Sequence, residues 1–343
     1  MSPPSPAPER SPSAVALDTV ALDTESDPVR ALAEAYRAGG RVSLATSGTT
    51  GRPRRVVRTA ASWVDSFVPA AALAELTRTG TVWVPGPLAA TMNLYAVCLA
   101  AHLGAERVTR VEDASHAFVT PAGLHGLLNR SDLGGGLRLV VAGDRLGPEL
   151  ADRAEGRGWS VCHYYGAAQL SFVAWGRDAE GLRPFPEVEV ETREGVVWVR
   201  SPWVAEREEL DAGTSPVLRL SPDGWASVGD RGRVADDGTV RVTGRGDAVV
   251  TGGATVLVTE VEAALAPRTT GDLAVIGLAH AELGQVVAAV YTRADDLPAL
   301  TDQARRELSP SHRPRRWLLR PGLPLTPAGK VDRAALATWA AEQ

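Results

Sequence analysis

Four short apolar runs punctuate the first half of the chain: V-S-L-A-T at 42–46, T-V-W-V-P-G at 81–86, L-R-L-V-V-A-G at 137–143 and S-V-C-H-Y-Y-G at 160–166, the last three closing on glycine. Polar residues do not alternate regularly within them, which is the pattern of strands buried on both faces. The stretches A-S-W-V-D-S-F-V-P-A-A-A-L-A-E-L at 61–76 and N-L-Y-A-V-C-L-A-A-H-L-G at 93–104 read as helices, the first interrupted by its proline. Strands alternating with helices predict an α/β domain. In such sheets ligands collect at the carboxyl ends of strands, where the loop after Thr46 and the turn at Gly166 both fall.

Upstream, Asp27 and Pro28 precede V-R-A-L-A-E-A-Y-R-A-G-G, a helix with Asp27 as N-cap, Pro28 in the first turn and Gly39 as terminator. Ordered structure is expected to begin there. Residues 1–26 then form a disordered tail, because M-S-P-P-S-P-A-P-E-R-S-P-S is rich in proline and serine and has no apolar core to bury. The duplication V-A-L-D-T-V-A-L-D-T at 15–24 is too short to be a structural repeat. V-V-R-T at 56–59 reads as a second strand.

From about residue 186 the texture changes to strand and turn, with E-V-E-V-E-T, G-V-V-W-V-R-S-P and a hairpin signal at D-D-G-T, 236–239. Beyond Asp247 a mixed segment follows: a helix at T-E-V-E-A-A-L, strands at A-V-I-G-L and V-V-A-A-V-Y-T, a loop at L-T-P-A-G-K-V-D-R, and a terminal helix. The expected organisation is a large domain over 27–246 and a small one over 247–343. A length of 343 residues agrees with two cores rather than one.

Composition removes several classes of function. Hydrophobic residues at 44% and charged residues at 22% are ordinary for a globular protein, and a net charge of -5 gives no sign of a nucleic-acid surface. Arg313, Arg315 and Arg316 read as a solvated face. Cys98 and Cys162 sit in apolar stretches, so they read as reduced core thiols of a cytoplasmic protein. The six histidines form no ligand spacing for zinc, and no run approaches the ~20 apolar residues of a membrane span.

The chemistry is concentrated in five stretches: T-S-G-T-T-G-R-P-R (46–54), Y-Y-G-A-A-Q (164–169), S-V-G-D (227–230), G-R-G-D-A-V-V-T-G-G (244–253) and P-A-G-K-V-D-R-A-A-L (327–336). The first suits a phosphate, since glycines and hydroxyls let several N–H and O–H groups converge on one anion; an ordinary polar surface loop has the same composition. Taken together, their order and spacing resemble the adenylate-forming superfamily of acyl-CoA synthetases, luciferases and peptide-synthetase adenylation domains. The early position of the first stretch is similar to the short o-succinylbenzoate:CoA ligases of actinobacteria. The resemblance covers the chain from about residue 40, and implies a large domain of sheets flanked by helices with a shortened N-terminal part, plus a small mobile C-terminal α+β domain.

What the resemblance implies for the site is specific. A carboxylate attacks the α-phosphorus of ATP, pyrophosphate leaves, and the acyl-adenylate passes its acyl group to a second nucleophile, often the thiol of CoA. Thr46, Ser47, Gly48, Thr49, Thr50 and Gly51 would hold the β- and γ-phosphates, with Arg54 standing where the family usually has lysine. Tyr165, Gly166, Ala167 and Ala168 would line the nucleotide, Asp230 would accept the ribose hydroxyls, and Arg245 would add a donor. Lys330 would be the catalytic residue, delivered by rotation of the small domain about Asp247. Gly252 and Gly253 would lie along the CoA arm in the second state, and Met92, Asn93, Tyr95, Gly143 and Trp175 would line the acyl pocket.

Three departures cluster at this site. Gln169 replaces the glutamate of Y-G-x-T-E that supports magnesium, Ala168 replaces a hydroxyl, and Ala90 or Thr91 stands where an aromatic or histidine wall is usual. The expected reading is therefore an ATP- and Mg2+-dependent ligase joining a small carboxylic acid to CoA. A ligase passing the acyl group to an amine or a carrier protein, and a catalytically weakened nucleotide-binding homologue, stay open beside it. Nucleic acid and membrane are not expected partners.

Overall fold

The computed structural model describes residues 19–46, 54–210, 216–244, 248–251, 254–327 and 329–343. Its centre is a seven-stranded sheet in the order Arg183–Pro184, Ser171–Gly176, Ser160–Ala167, Arg138–Val141, His116–Val119, Thr81–Trp83 and Glu106–Val108. From Ser160–Ala167 to Glu106–Val108 neighbouring strands run parallel. Along His116–Val119 and Arg138–Val141, Phe118 and Val140 face one apolar cluster while Ala117, Val119, Leu139 and Val141 face another. Burial on both faces is the reason these runs carry no polar alternation.

A second sheet packs Thr19–Ala21, Arg41–Thr46, Arg54–Thr59 and Arg207–Glu209 side by side. Thr19–Thr24, expected in the tail, thus form a strand and a short helical turn. Thr19–Ala21 pair parallel with Arg41–Ser43, Leu22 is buried and Asp23 pairs with Arg55 at 2.6 Å, so an apolar edge that sequence composition assigns to the tail has a sheet to bury it. The helix Pro28–Arg37 follows as expected, with Asp27 accepting from the Arg30 N–H and Gly39 at φ +63°.

The proline expected to interrupt the helix over 61–76 instead opens one. Two helices, Ala61–Val64 and Phe67–Ala74, meet at Asp65–Ser66, and Pro69 sits in the first turn of the second, where an N–H would have no helical acceptor. The hairpin at D-D-G-T forms between Arg231–Val234 and Val240–Gly244, with Gly238 at φ +81° and Asp237 accepting from the Thr239 N–H at 2.9 Å.

The last sheet holds Ala254–Leu257, Ala248–Thr251, Gly284–Tyr291 and Leu273–His280, with Arg316–Leu319 parallel to Gly284–Tyr291. Val275, Val287 and Ala289 meet the helices Val258–Leu265 and Leu297–Glu307 on one face. Ala274, Ile276, Ala288 and Val290 meet the helix Arg333–Ala341 on the other. These clusters are separate from those of the central sheet, as expected of a unit with its own core. No helix among the described residues is long and apolar enough to cross a membrane.

Candidate active site

The phosphate-loop stretch joins two paired strands. Arg41–Thr46 and Arg54–Thr59 are antiparallel in unbroken register, and its final pair is Thr46 with Arg54. Ser47, Gly48, Thr49, Thr50 and Gly51 lie outside the described residues, so the structure speaks for the two ends of this loop. Arg54 is half-buried, and its Nε is a buried donor with no partner among the described residues. A guanidinium N–H left so costs about 1–3 kcal/mol, and an anion entering the loop is the natural partner.

Alternate side chains of Arg54–Thr59 share a face. Arg54, Val56 and Arg58 point one way, and Val56 is buried in the main core. Arg58 is completely buried, donates to the Trp203 carbonyl through Nη2, and has no partner among the described residues for Nε or Nη1. Burial draws its guanidinium down to about 10, partly offset by the neighbouring Tyr95. Sequence reasoning gives no role to Arg58; its one signal is a charge inside an apolar strand.

Two motifs far apart in sequence meet at Asp230. The Tyr165 hydroxyl donates to Asp230 Oδ2 at 2.6 Å, and Asp230 is buried. The aspartate is held by its backbone, since its carbonyl accepts from the Val197 N–H at 2.8 Å, and the turn before it is set by Gly229 at φ +81° with its N–H on Ser227 Oγ. Tyr165 lies in the strand Ser160–Ala167, just before an irregularity of register against Ser171–Gly176. Gly166 is obligatory there, because a methyl group would stand 2.3 Å from the Ser171 carbonyl oxygen. Ala167 and Ala168 pack against the main core at the turn, so they offer no polar atom of their own beyond the backbone. Arg245 lies outside the described residues.

Beside this turn lies a second carboxylate. Gln169 is buried, and its Nε2 donates to Glu208 Oε1 at 2.7 Å. Glu208 Oε2 accepts from the N–H groups of Val217 and Leu218 at 2.6 and 2.9 Å. Glu208 is the register partner of Val56, so it shares the face of the strand that carries Arg54. Nothing in the sequence singles out Glu208 from its acidic neighbours in A-E-R-E-E-L.

The lysine loop docks on the carboxyl edge of the central sheet. A methyl group at Gly143, at φ +91°, would stand 3.6 Å from Lys330 Cε, and one at Gly329 would stand 3.3 Å from Thr120 Cγ2. Thr120 and Gly143 follow two adjacent parallel strands, and the next strand over, Ser160–Ala167, carries Tyr165 near its carboxyl end. The pairing of these strands ends at Val141 with His163, so the loop at Gly143 leaves the sheet on the side where Tyr165 follows His163 by two residues. The loop is rigidified locally: Thr326 N–H donates to the Lys330 carbonyl at 2.7 Å and Gly329 N–H to the Thr326 carbonyl at 2.8 Å. Asp332 caps the final helix, and Arg333 pairs with Glu262 at 2.8 Å. Burial raises the Glu262 carboxyl against the pull of Arg333.

The acyl-pocket residues separate. Gly143 faces Lys330. Asn93 is buried and donates to the carbonyls of Pro85 and Pro87, holding the loop ahead of the helix Thr91–Leu103. Met92 is half-buried beside it, and Thr91 donates to the Ala45 carbonyl next to the phosphate loop. Tyr95 instead contacts Trp63, Phe67 and Phe172 edge-on with its hydroxyl on Ser66, and Trp175 stacks with Tyr164 at 5.6 Å. The aromatic surface of these two is spent on the core, so the pocket role expected for them has little surface to work with. Cys98 and Cys162 are free thiols, and burial pushes both up to about 12. Asp247, Gly252 and Gly253 lie outside the described residues.

Comparison with known proteins agrees with this layout. Residues 43–207 match the family model described as AMP-binding enzyme. An uncharacterized acyl–CoA ligase of Bacillus subtilis is 23% identical over 333 residues, covering 87% of this chain and 68% of that protein. The 2-succinylbenzoate–CoA ligase of Escherichia coli is 27% identical over 237 residues, covering 67% of this chain and 51% of that enzyme. The fold superposes on the ATP-bound structure of MatB from Rhodopseudomonas palustris with a TM-score of 0.76 at 20% identity, over 88% of this chain and 68% of that one. With the phosphate-loop strands, the Tyr165–Asp230 contact and the docked lysine loop in one arrangement, the chain carries an AMP-binding enzyme match over residues 43–207, has the fold of the adenylate-forming enzymes and is similar in sequence to acyl–CoA ligases.

Proposed function

We propose that the protein is an ATP-dependent ligase that activates a small carboxylic acid as its acyl-adenylate and transfers the acyl group to CoA. The observation that carries this reading is Lys330, whose stem lies against Gly143 at the same sheet edge as Tyr165 and Asp230. Joining a carboxylate to a polyphosphate brings two anions together, so the reaction calls for a cation between them more than for an acid or base. One unit charge at ~4 Å and an effective dielectric near 20 is worth ~4 kcal/mol.

The remaining chain supplies binding. The loop ending at Arg54 would grip the β- and γ-phosphates, Asp230 would accept the ribose diol through its two carboxylate oxygens, and Tyr165 would hold that carboxylate and flank the adenine. Arg54 keeps the charge of the usual lysine and adds a planar fork. A magnesium ion would travel with the nucleotide and neutralise charge on the leaving pyrophosphate; Mg2+ needs few protein carboxylates, because substrate phosphates and water fill most of its shell. Gly143 and Met92 are the candidates for the acyl end.

The test is carboxylate-dependent conversion of ATP to AMP and pyrophosphate across a panel of aromatic and aliphatic acids, with and without CoA. Pyrophosphate release by at least one acid, with thioester appearing only when CoA is present, is the expected result. Adenylate formation with no thioester, but with amide in the presence of amines, would favour transfer to nitrogen, a reading also served by the same residues. No pyrophosphate with any acid would leave a nucleotide-binding homologue.

A further inference from the structure

Position 169 carries an amide where the resemblance calls for a carboxylate, yet the corner is not without one. The Gln169 Nε2 donates to Glu208 Oε1 at 2.7 Å, and Glu208 reaches this point from another strand, opposite Val56 and on the same face as Arg54. Its second oxygen is oriented by two backbone N–H groups at 2.6 and 2.9 Å. Arg54 and Glu208 stand on a diagonal of the antiparallel pair, a spacing of ~7 Å, and the Arg54 Nε is buried without a partner among the described residues. The corner therefore presents, in order, a cation at the end of the phosphate loop, a carboxylate, and an amide that orients it.

We infer that Glu208 is the carboxylate that meets the divalent cation of the nucleotide, and that Gln169 is a positioning residue that orients it. The inference rests on the reading of the site as one for a metal–nucleotide. The donor set fits: a hard cation takes oxygen, one carboxylate suffices for magnesium, and here that carboxylate comes from the neighbouring sheet rather than from the turn after Tyr165. The amide at 169 is then required rather than merely tolerated, because two carboxylates at hydrogen-bond distance would repel when no metal lies between them.

The experiment uses Mn2+ as probe, with the free ion counted by electron paramagnetic resonance and ATP binding measured with Mn2+ or with EDTA. Wild type is expected to bind Mn2+·ATP. Glu208→Gln should weaken Mn2+·ATP about tenfold and leave metal-free ATP within about twofold, as the loss of one charge-assisted contact to the ion requires. Gln169→Glu/Glu208→Gln, which returns the charge to the turn, should recover most of that loss. Gln169→Glu alone should melt several degrees below wild type without metal and regain the difference in Mn2+. Equal losses with and without metal, or a double variant as weak as Glu208→Gln, would overturn the inference. If Glu208→Gln does not fold, Gln169→Glu decides, since a melting point that ignores Mn2+ overturns it. A wild type that binds neither form of ATP would instead bring down the nucleotide reading itself.

Discussion

Two buried corners of this molecule are built alike and differ in how they are reached. At one, Tyr165 donates to Asp230 at 2.6 Å; at the other, Gln169 donates to Glu208 at 2.7 Å. The donors lie near one another in sequence, Tyr165 in the strand Ser160–Ala167 and Gln169 just after it, while Asp230 comes from the turn before Arg231–Val234 and Glu208 from the strand Arg207–Glu209. Asp230 lies in S-V-G-D, a pattern whose glycine and serine build its own turn. Glu208 has no such local signature, because its orientation comes from residues distant in the chain. A carboxylate set by local backbone is legible as a motif; one set by sheet pairing is not.

The largest expected effect lies outside both corners, at the lysine against Gly143. Lys330→Ala should slow pyrophosphate exchange by ~100-fold or more while nucleotide affinity stays within a few-fold, and a loss under threefold would remove Lys330 from the chemistry. The two corners should then divide by what they sense. Asp230→Asn should raise KM for ATP about 10- to 100-fold, since a contact to a charged group is worth about 1.5–3 kcal/mol, and it should erase any preference for ATP over 2′-deoxy-ATP. Metal identity should not alter that ratio, whereas Glu208→Gln responds to the metal. If both variants showed the same metal dependence, the distinction between the corners would be lost.

A smaller effect belongs to the donor. Tyr165→Phe removes one neutral O–H from a carboxylate that keeps its position through the Val197 N–H on its carbonyl, so KM for ATP should rise about fivefold, ~1 kcal/mol. A change as large as that of Asp230→Asn would mean that the hydroxyl contacts nucleotide directly. The smallest effect sets the pH window for these comparisons. His163, on the strand that carries Tyr165, is buried against the Val141 carbonyl, and burial lowers it to about 4; His116 is lowered too. The unfolded chain binds a proton near pH 6.5 that the folded His163 refuses, so stability falls as pH drops from about 6.5 towards 4. At pH 6 this costs ~0.8 kcal/mol from His163. A melting temperature flat from pH 8 to pH 5 would contradict that burial.

The expected elements that hold share one property: their causes are local. The Asp27 cap and the D-D-G-T hairpin each depend on neighbours within a few residues. The failures depend on distant chain. Val20 to Asp23 is ordered because Arg41–Thr46 and Arg55 receive it, and Tyr95 and Trp175 are core because Phe172 and Tyr164 pack on them. Pro69 opens a helix because the chain turns at Ser66, which the proline does not by itself announce.

The sequence alone therefore determined the fold class and the family resemblance, because five stretches of recognisable chemistry follow one another in a fixed order. Only the tertiary structure decided that Lys330 lies against Gly143, that Tyr165 is bound to Asp230, and that Glu208 stands beside Gln169. Those are contacts between strands and loops from separate parts of the chain. Their distances follow from how sheets pair and cores close, which no local pattern of residues encodes.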